Sequence, residues 1–198
     1  MTPNPTHGIP KNPMPWRTDP GVAHAAARGR ADVISRGRRV AIFVGTHENK
    51  VDRKGRVSVP AKFREAVAGQ SFHGVVVYRH YELPALEGCG MDQMEAYVEQ
   101  MDAFDLFSND HEDLATILFA ESEQLAFDGE GRIMLPPSFM EYAGITERAV
   151  FAGKGKRFQI WEPSAFAAER DRARQRARDK GLTLPQQTKK GAAREAAE

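Results

Sequence analysis

The order of apolar and polar residues predicts short strands and helices. Residues 57–59 alternate as in a half-buried strand, and residues 46–51 precede them as the first arm of a hairpin. Pro60 ends the second arm and is well placed to open a helix over residues 61–67. The β-branched run within residues 72–78 is typical of a buried strand. This part of the chain therefore reads as strand, turn, strand, helix and strand.

The middle of the chain predicts a loop followed by helices. Three residues are typical of the loop: Pro84, Gly88 and Gly90. Apolar residues at spacings of three and four then predict amphipathic helices over residues 91–104 and 110–120, the second capped by Asn109 or Asp110. The methionines of the first helix are interpreted as core packing rather than as a cofactor site.

The second half of the chain repeats the first pattern. Its predicted elements are a strand over residues 123–127, a helix over 136–143 that Gly144 stops, a hairpin with arms 149–152 and 157–161, and a helix over 165–180. The tail from Gly181 is expected to be frayed.

The turn between the first two strands occurs twice. One copy reads Val51-Asp52-Arg53-Lys54-Gly55-Arg56, and the other reads Phe127-Asp128-Gly129-Glu130-Gly131-Arg132. Asp, Gly and Arg occupy the same places in both copies, and Pro, Phe and Glu follow at the same spacings. An internal repeat of this kind indicates one supersecondary unit used twice.

The residue types of the turn suit a three-residue hairpin loop. The Asp carboxylate can accept hydrogen bonds from backbone N–H groups further along the turn, and the Gly supplies a positive φ. The Arg then begins the returning strand, which places its guanidinium at the rim of the hairpin. The residues assigned to the structure of the two turns are Asp52, Gly55, Asp128, Gly131 and Arg132.

Composition limits the class of protein. A chain of 198 residues with 41% hydrophobic residues and a net charge of +1 can bury one core. Its single cysteine, Cys89, excludes an intramolecular disulfide and is expected to be a small packing residue. No apolar run approaches the roughly 20 residues of a membrane span, and residues 1–20 lack a signal-peptide pattern. We therefore expect a soluble, cytoplasmic protein.

Residues 1–41 are predicted to be a disordered arm. Six prolines break its first half, and its second half is rich in Ala and Arg without an apolar stripe. The arginines of the arm could contact phosphates or form a solvated basic tail, and the sequence leaves both open.

A short basic segment points to DNA. Residues 50–64 carry six basic residues against one acid, Asp52, in a nearly neutral chain. Such a patch favours contact with phosphates, a two-stranded ribbon fits the major groove, and an arginine at its rim can pair with guanine. The candidate DNA-binding residues are Lys50, Arg53, Lys54, Arg56, Lys62 and Arg64. The alternative for Arg56 is that it only staples its own turn to Asp52.

The two turns differ in charge. Gly129 and Glu130 stand where the first turn has Arg53 and Lys54. Because phosphate repels Glu130, we expect the first turn to read DNA and Arg132 to serve the fold.

These motifs resemble the MraZ family. The resemblance rests on the segment 49–56 followed by Val59-Pro60, on the second turn from Asp128 to Arg132, and on the closing Phe158-Gln159-Ile160-Trp161. The resemblance spans roughly residues 43–168, and the arm before Phe43 departs from the family pattern. It implies an α+β fold, a pseudo-twofold swapped-hairpin β-barrel of AbrB type built from two tandem repeats with flanking helices. The implied domains are an arm 1–41, a first SpoVT/AbrB-like repeat 42–90, connecting helices 91–120, a second repeat 121–166, and a C-terminal helix and tail 167–198.

The resemblance also implies a function. The family consists of bacterial transcriptional regulators that assemble into rings and associate with the nucleoid. They bind direct repeats in double-stranded DNA upstream of their own division and cell-wall gene cluster, usually as repressors. A ring-shaped homo-oligomer and a DNA partner are therefore expected here.

Two other classes stay open at this point. An AbrB-like barrel can act as a protein-binding module, as in antitoxins. An enzyme is disfavoured because the histidines show no ligand spacing and no nucleophile partner, among them His47, His73, His80 and His111. We accordingly expect no catalytic residue, metal, cofactor, small-molecule substrate or membrane partner.

Overall fold

The computed structural model of the chain describes residues 41–105 and 108–184. The predicted disordered arm, apart from residue 41, lies outside the described residues, as does the tail beyond residue 184.

Each repeat contributes four strands and a short helix. The first contains β1 (Thr46–Lys50), β2 (Arg56–Ser58), α1 (Ala61–Ala66), β3 (Gly74–Arg79) and β4 (Leu86–Cys89). The second contains β5 (Glu123–Ala126), β6 (Arg132–Met134), α4 (Pro137–Ala143), β7 (Arg148–Gly153) and β8 (Phe158–Trp161). Between the repeats lie α2 (Met91–Met101) and α3 (Asn109–Ala115), which continues as a π-helix (Thr116–Ala120), and α5 (Pro163–Asp179) follows the second repeat.

The strands of the two repeats are exchanged. A six-stranded antiparallel sheet has the order β1-β7-β8-β4-β3-β5, and β2 pairs with β6 in a separate ribbon. Thus β1 and β2 pair with strands of the second repeat, and β5 pairs with β3 of the first. The residues at equivalent places meet each other, Val57 opposite Ile133 and Glu87 opposite Gln159. A pseudo-twofold axis therefore passes through both pairs.

The two repeated turns close the barrel. The backbone N–H of Asp52 donates to the Arg56 carbonyl at 2.9 Å, and that of Asp128 donates to the Arg132 carbonyl, also at 2.9 Å. Each edge strand of the large sheet is thereby joined through a turn to the β2–β6 ribbon. The predicted α+β fold of two tandem AbrB-like repeats is confirmed, and the pairing shows the exchange of hairpins directly.

An aromatic cluster fills the barrel. Phe63 of α1 lies 5.2 Å from Phe43 and 5.4 Å from Phe158, measured between ring centroids. Val57 and Ile133 point into the same core from the ribbon. Because the inward residues alternate with outward ones, the neighbours of Val57 and Ile133 in the ribbon must face away from the core.

Helices cover the outer face of the large sheet on both sides of the axis. Helix α2 packs on β3 and β4 through a cluster of Val76, Tyr78, Cys89 and Met94. Helix α5 packs on the other side, where Phe166 lies 6.3 Å from Trp161. The predictions that Cys89 and the methionines serve packing are confirmed.

The loop predicted from Pro84, Gly88 and Gly90 is wrong in part, because residues 86–89 form the buried central strand β4. A Cβ on Gly88 would lie 2.3 Å from the ring of Phe158, its cross-strand partner. Gly88 therefore makes room for a ring of the other repeat instead of making a turn.

The predicted helix cap is also wrong, since Ser108 accepts from the His111 N–H at 3.2 Å. Helix α2 ends at Met101, three residues before its predicted end.

Candidate nucleic-acid interface

The first turn is organised by the carboxylate of Asp52. Its Oδ1 accepts from the backbone N–H of Lys54 at 2.8 Å and of Arg56 at 2.9 Å. Its Oδ2 accepts from Arg56 Nε at 2.6 Å. Gly55 completes the turn with a φ of +80°. Asp52 and Gly55 thus supply the hydrogen bonds and the positive φ of a three-residue hairpin loop.

The second turn has the same construction. Asp128 Oδ1 accepts from the backbone N–H of Glu130 and of Arg132, both at 2.9 Å. Its Oδ2 accepts from Arg132 Nε at 2.7 Å, and Gly131 has a φ of +72°. Arg132 also pairs through Nη1 with Glu130 at 2.7 Å. Arg132 thus contacts two carboxylates, whereas Arg56 pairs with one among the described residues.

These contacts shift the acidity of both aspartates. The backbone hydrogen bond from Arg56 is the main cause that lowers the pKa of Asp52, and the Arg56 side chain lowers it further. Arg132 lowers the pKa of Asp128 in the same two ways. The hydrogen bond with Asp128 in turn raises the pKa of Arg132, with smaller contributions from Glu130 and from Asp52 of the other turn. Both turns therefore favour the charged form of their aspartate.

The ribbon brings the two arginines onto one face. Arg56 lies opposite Met134, and Ser58 lies opposite Arg132. All four flank the buried pair at the axis, so their side chains share the outward face, where Met134 is 59% exposed. We call this set of four residues the ribbon face. The ribbon face thus presents one arginine at each end of a two-stranded antiparallel ribbon.

Exposed cations surround the first turn. Arg53 and Lys54 form its tip, and both are exposed. Lys50 ends β1 on the outer side of that strand, just before Asp52. Asn49 donates to the Ser58 carbonyl at 2.7 Å, which ties this strand to the ribbon. Arg53 and Lys54 thus form a basic tip on the first turn, whereas Lys50 lies on the opposite face of β1 from Asn49.

The other two candidate residues, Lys62 and Arg64, lie on helix α1 in different surroundings. Lys62 is exposed in its first turn. Arg64 is half-buried, donates through Nε to the Val59 carbonyl at 3.2 Å, and lies against the second turn. A Cβ on Gly131 would be only 2.5 Å from Arg64 Nη1. Arg64 therefore supports the turn of the other repeat, a placement that follows from the strand exchange.

The equivalent position of the second repeat is occupied by a methionine. A Cβ on Gly55 would lie 2.8 Å from the Leu135 carbonyl and 3.2 Å from Met140 Sδ. Each turn is thus covered by the helix of the opposite repeat, with Arg64 on one and Met140 on the other.

Sequence reasoning missed Ser58 and Met134 on the ribbon face. The signal for both was present, because they alternate with the buried residues Val57 and Ile133. It also missed that residues 80–131 carry 14 acidic residues and no lysine or arginine. Helices α2 and α3 lie in this segment, on the large sheet rather than on the ribbon.

Within residues 41–105 and 108–184, no group of three His, Cys, Asp or Glu side chains is placed to hold a metal ion. No helix in the same part of the chain is both long and apolar enough to cross a membrane.

Comparison with known proteins agrees with the doubled turn. A family model described as "MraZ protein, putative antitoxin-like" matches residues 42–116 and 118–181. The chain belongs to the MraZ family. Each matched segment holds one Asp-x-x-Gly-Arg turn, so each contains one of the two structural repeats.

Curated MraZ relatives are similar over almost their whole length. The Transcriptional regulator MraZ of Gluconacetobacter diazotrophicus is 41% identical over 151 residues, which cover 75% of this chain and 94% of the relative. The protein of the same name from Rickettsia canadensis is 41% identical over 143 residues, which cover 72% of this chain and 96% of the relative.

Proposed function

We propose that this MraZ-family protein is a DNA-binding transcriptional regulator that reads its operator with the ribbon face. The name of its relatives, Transcriptional regulator MraZ, supports the class of function. The observation that carries the mode of reading is the placement of Arg56 and Arg132 on one exposed two-stranded ribbon, next to the basic tip of the first turn. A ribbon of this kind can enter the major groove and present an arginine to guanine.

The first turn is the proposed reading turn. Arg56 uses Nε for Asp52, and its terminal nitrogens have no partner among the described residues. Arg132 gives Nε to Asp128 and Nη1 to Glu130. A bidentate contact with guanine needs two free donors on one arginine, and a neighbouring carboxylate repels the DNA backbone. Arg56 meets these conditions better than Arg132.

The distribution of charge orients the complex. The six-stranded sheet separates α2 and α3, which carry only acidic charges, from the β2–β6 ribbon. A polyanion is repelled by the helices and attracted to the tip of the first turn. DNA therefore approaches from the ribbon side.

The test compares specific and non-specific binding. Labelled DNA from upstream of the protein's own gene and a scrambled duplex are titrated with the wild type, Arg56→Ala and Arg132→Ala. We expect Arg56→Ala to lose about 1–3 kcal/mol of specific binding, the scale of one bidentate base contact. Arg132→Ala should chiefly lower the stability of the fold or of the oligomer. Arg172→Ala, in the exposed part of α5, is the matched control.

Two results would contradict the assignment. If Arg132→Ala abolishes the operator preference while Arg56→Ala keeps it, the second turn is the reading turn. If the wild type does not distinguish the upstream DNA from the scrambled duplex, specific DNA reading itself is wrong.

We further propose a ring-shaped homo-oligomer that associates with the nucleoid and represses its own division and cell-wall gene cluster through direct repeats. The family resemblance supports this proposal, and so do exposed apolar side chains near the start of the barrel, Ile42 at 59% and Val44 at 68%. A monomeric mass by light scattering would contradict the ring. A reporter under the upstream promoter should rise when the gene is deleted, and a fall would reverse the sign of regulation.

A protein-binding function is the second candidate. The words "antitoxin-like" in the family description favour it. A stoichiometric protein partner, together with no retention on the upstream DNA, would establish this function in place of DNA reading.

A further inference from the structure

A cavity of about 680 Å³ lies between the outer face of the large sheet and the connecting helices. Its size falls within the range of small-molecule sites. Its floor is polar and includes Tyr78, Glu87 and Arg157. Its lining also includes the aromatic side chains of Tyr81, Tyr97 and Phe104, which we call the aromatic wall. The cavity is on the opposite side of the sheet from the ribbon and has no part in the proposed reading of DNA.

The charge at the floor is already compensated. Glu87 is 4% exposed, and its Oε2 forms an ion pair with Arg157 Nε at a distance of 3.1 Å. Its Oε1 accepts from Gln159 Nε2 at 2.9 Å. A buried carboxylate needs such a cation and such hydrogen bonds to remain charged. Arg157 is therefore committed to Glu87 and does not leave an excess positive charge in the cavity.

His80 connects the rim of the cavity to its floor. Its Nδ1 accepts from the backbone N–H groups of Glu82 and Leu83 at 3.1 and 3.3 Å. Its Nε2 lies 3.8 Å from Glu87 Oε1. Among the Asp, Glu, Lys and Arg side chains of the described lining, the carboxylates of Glu82 and Glu87 outnumber the single guanidinium of Arg157, so these side chains carry a net negative charge.

The surrounding helices strengthen this negative field. Helices α2 and α3 form the upper walls, and both belong to the segment 80–131, which has 14 acidic residues and no lysine or arginine. An anion is repelled from such a site, and a cation is concentrated there. Aromatic faces attract cations as well, most strongly where water is partly excluded.

We propose that this cavity binds a small organic cation with an apolar body, of the aryl- or alkylammonium class. The ammonium group lies beside Glu82 and the faces of Tyr81 and Tyr97. The apolar body packs against Leu114 and Ile117, which line the side formed by α3 and its π-helical continuation. The aromatic wall and the net negative lining together select this class over carboxylates and neutral alcohols.

The test uses saturation-transfer NMR on the full chain with three probes of similar size. Benzyltrimethylammonium is the cation, benzyl alcohol the neutral compound and phenylacetate the anion. We expect saturable binding of the cation, weaker binding of the alcohol and none of the anion. Glu82→Gln and Tyr81→Ala should each lower the affinity for the cation about three- to fivefold. Both side chains are exposed, so the variants should keep the wild-type thermal midpoint.

Glu99→Gln is the matched control, because Glu99 is exposed on α2 and does not line the cavity. The proposal is overturned if the anion or the alcohol binds as tightly as the cation. It is also overturned if Glu99→Gln weakens binding as much as Glu82→Gln. Absence of saturable binding, including absence because a second copy covers the cavity, overturns it as well.

Discussion

Arg56 and Arg132 each stabilise a turn and face solvent from the ribbon. Their Nε atoms are used by Asp52 and Asp128, which fixes the guanidinium planes. A guanidinium held in this way loses little further side-chain entropy when it meets a ligand. A hydrogen bond to Asp and a role in binding are therefore compatible. The interpretation of Arg56 as a turn staple accounts for its Nε contact with Asp52 but not for its place on the outward face of the ribbon.

Lys54 should behave differently from Arg56. It is exposed at the tip of the first turn, and its side chain has no partner among the described residues. A lysine that contacts only phosphate carries no sequence information, so Lys54→Ala should weaken operator and scrambled DNA alike. The salt dependence of the DNA-binding constant of this variant should fall by about one released counterion. Titrations at two salt concentrations check this, with Lys156→Ala in the β7–β8 loop as the control. A loss confined to the operator would contradict it.

Gly131→Ala should destabilise the fold, and the nearby Gly129→Ala should not. Gly131 has a φ of +72° and would place a Cβ 2.5 Å from Arg64, whereas a Cβ on Gly129 meets nothing within 4 Å. We expect a loss of about 1–2 kcal/mol in the free energy of unfolding for Gly131→Ala and a change within about 0.5 kcal/mol for Gly129→Ala. Urea unfolding of the two variants measures the difference. Equal effects would show that neither the backbone conformation nor Arg64 matters there.

At the scale of elements, each turn acts as a hinge between two sheets. At the first turn, the flanking strands make a short bridge at Val51 and Val57 and then pair with different partners. The Asp carboxylate holds the corner through three hydrogen bonds in both repeats. The turns are therefore the points at which protonation can loosen the barrel.

Acid should destabilise the protein through these two carboxylates. The pKa values of Asp52 and Asp128 lie below the ordinary 3.8, so the folded state binds protons less readily than the unfolded one. Their contribution to stability is complete well above pH 3.8 and is lost as the pH falls through the lowered values. The variant Asp52→Asn/Asp128→Asn should be less stable near neutral pH and lose less stability on acidification. An acid-unfolding curve parallel to that of the wild type would contradict this.

At the scale of the molecule, neither repeat contains a complete barrel. Ribbon strand β2 pairs with β6, and edge strands β1 and β5 pair with β7 and β3 of the opposite repeats. The core is likewise shared, since Phe63 of the first repeat packs on Phe151 and Phe158 of the second. Folding of one repeat thus requires a second repeat to supply its partners.

A fragment of residues 41–105 should have no folded monomeric state. It carries the first repeat and α2 but lacks every strand that pairs with β1 and β2. We expect it to be unfolded when dilute and to fold only by pairing with a second copy or with the other half. Sedimentation and circular dichroism over a range of concentrations check this, with the intact chain as the control. A folded monomeric fragment would contradict the interdependence of the repeats.

Local chemistry determined the turns and the repeat, because Asp, Gly and Arg act on neighbours within the same few residues. Asp52 with Gly55 and Asp128 with Gly131 could therefore be predicted from the sequence, and so could the strands and helices around them. Alternation also predicts the half-buried strand over residues 57–59. The doubled motif predicts two equivalent units, and the resemblance to the MraZ family that it carries implies the AbrB-like fold.

Only the tertiary structure decided which residues of one repeat meet the other. The sequence predicts a loop at Gly88, because the Phe158 ring that requires this glycine is far along the chain. The sequence places Arg64 in the basic segment of the first turn, yet the exchange of strands sets it against Gly131 of the second turn. The cavity at Glu87 and Arg157 likewise joins residues of both repeats. Sequence patterns report short-range preference, whereas these placements depend on long-range pairing that no local pattern encodes.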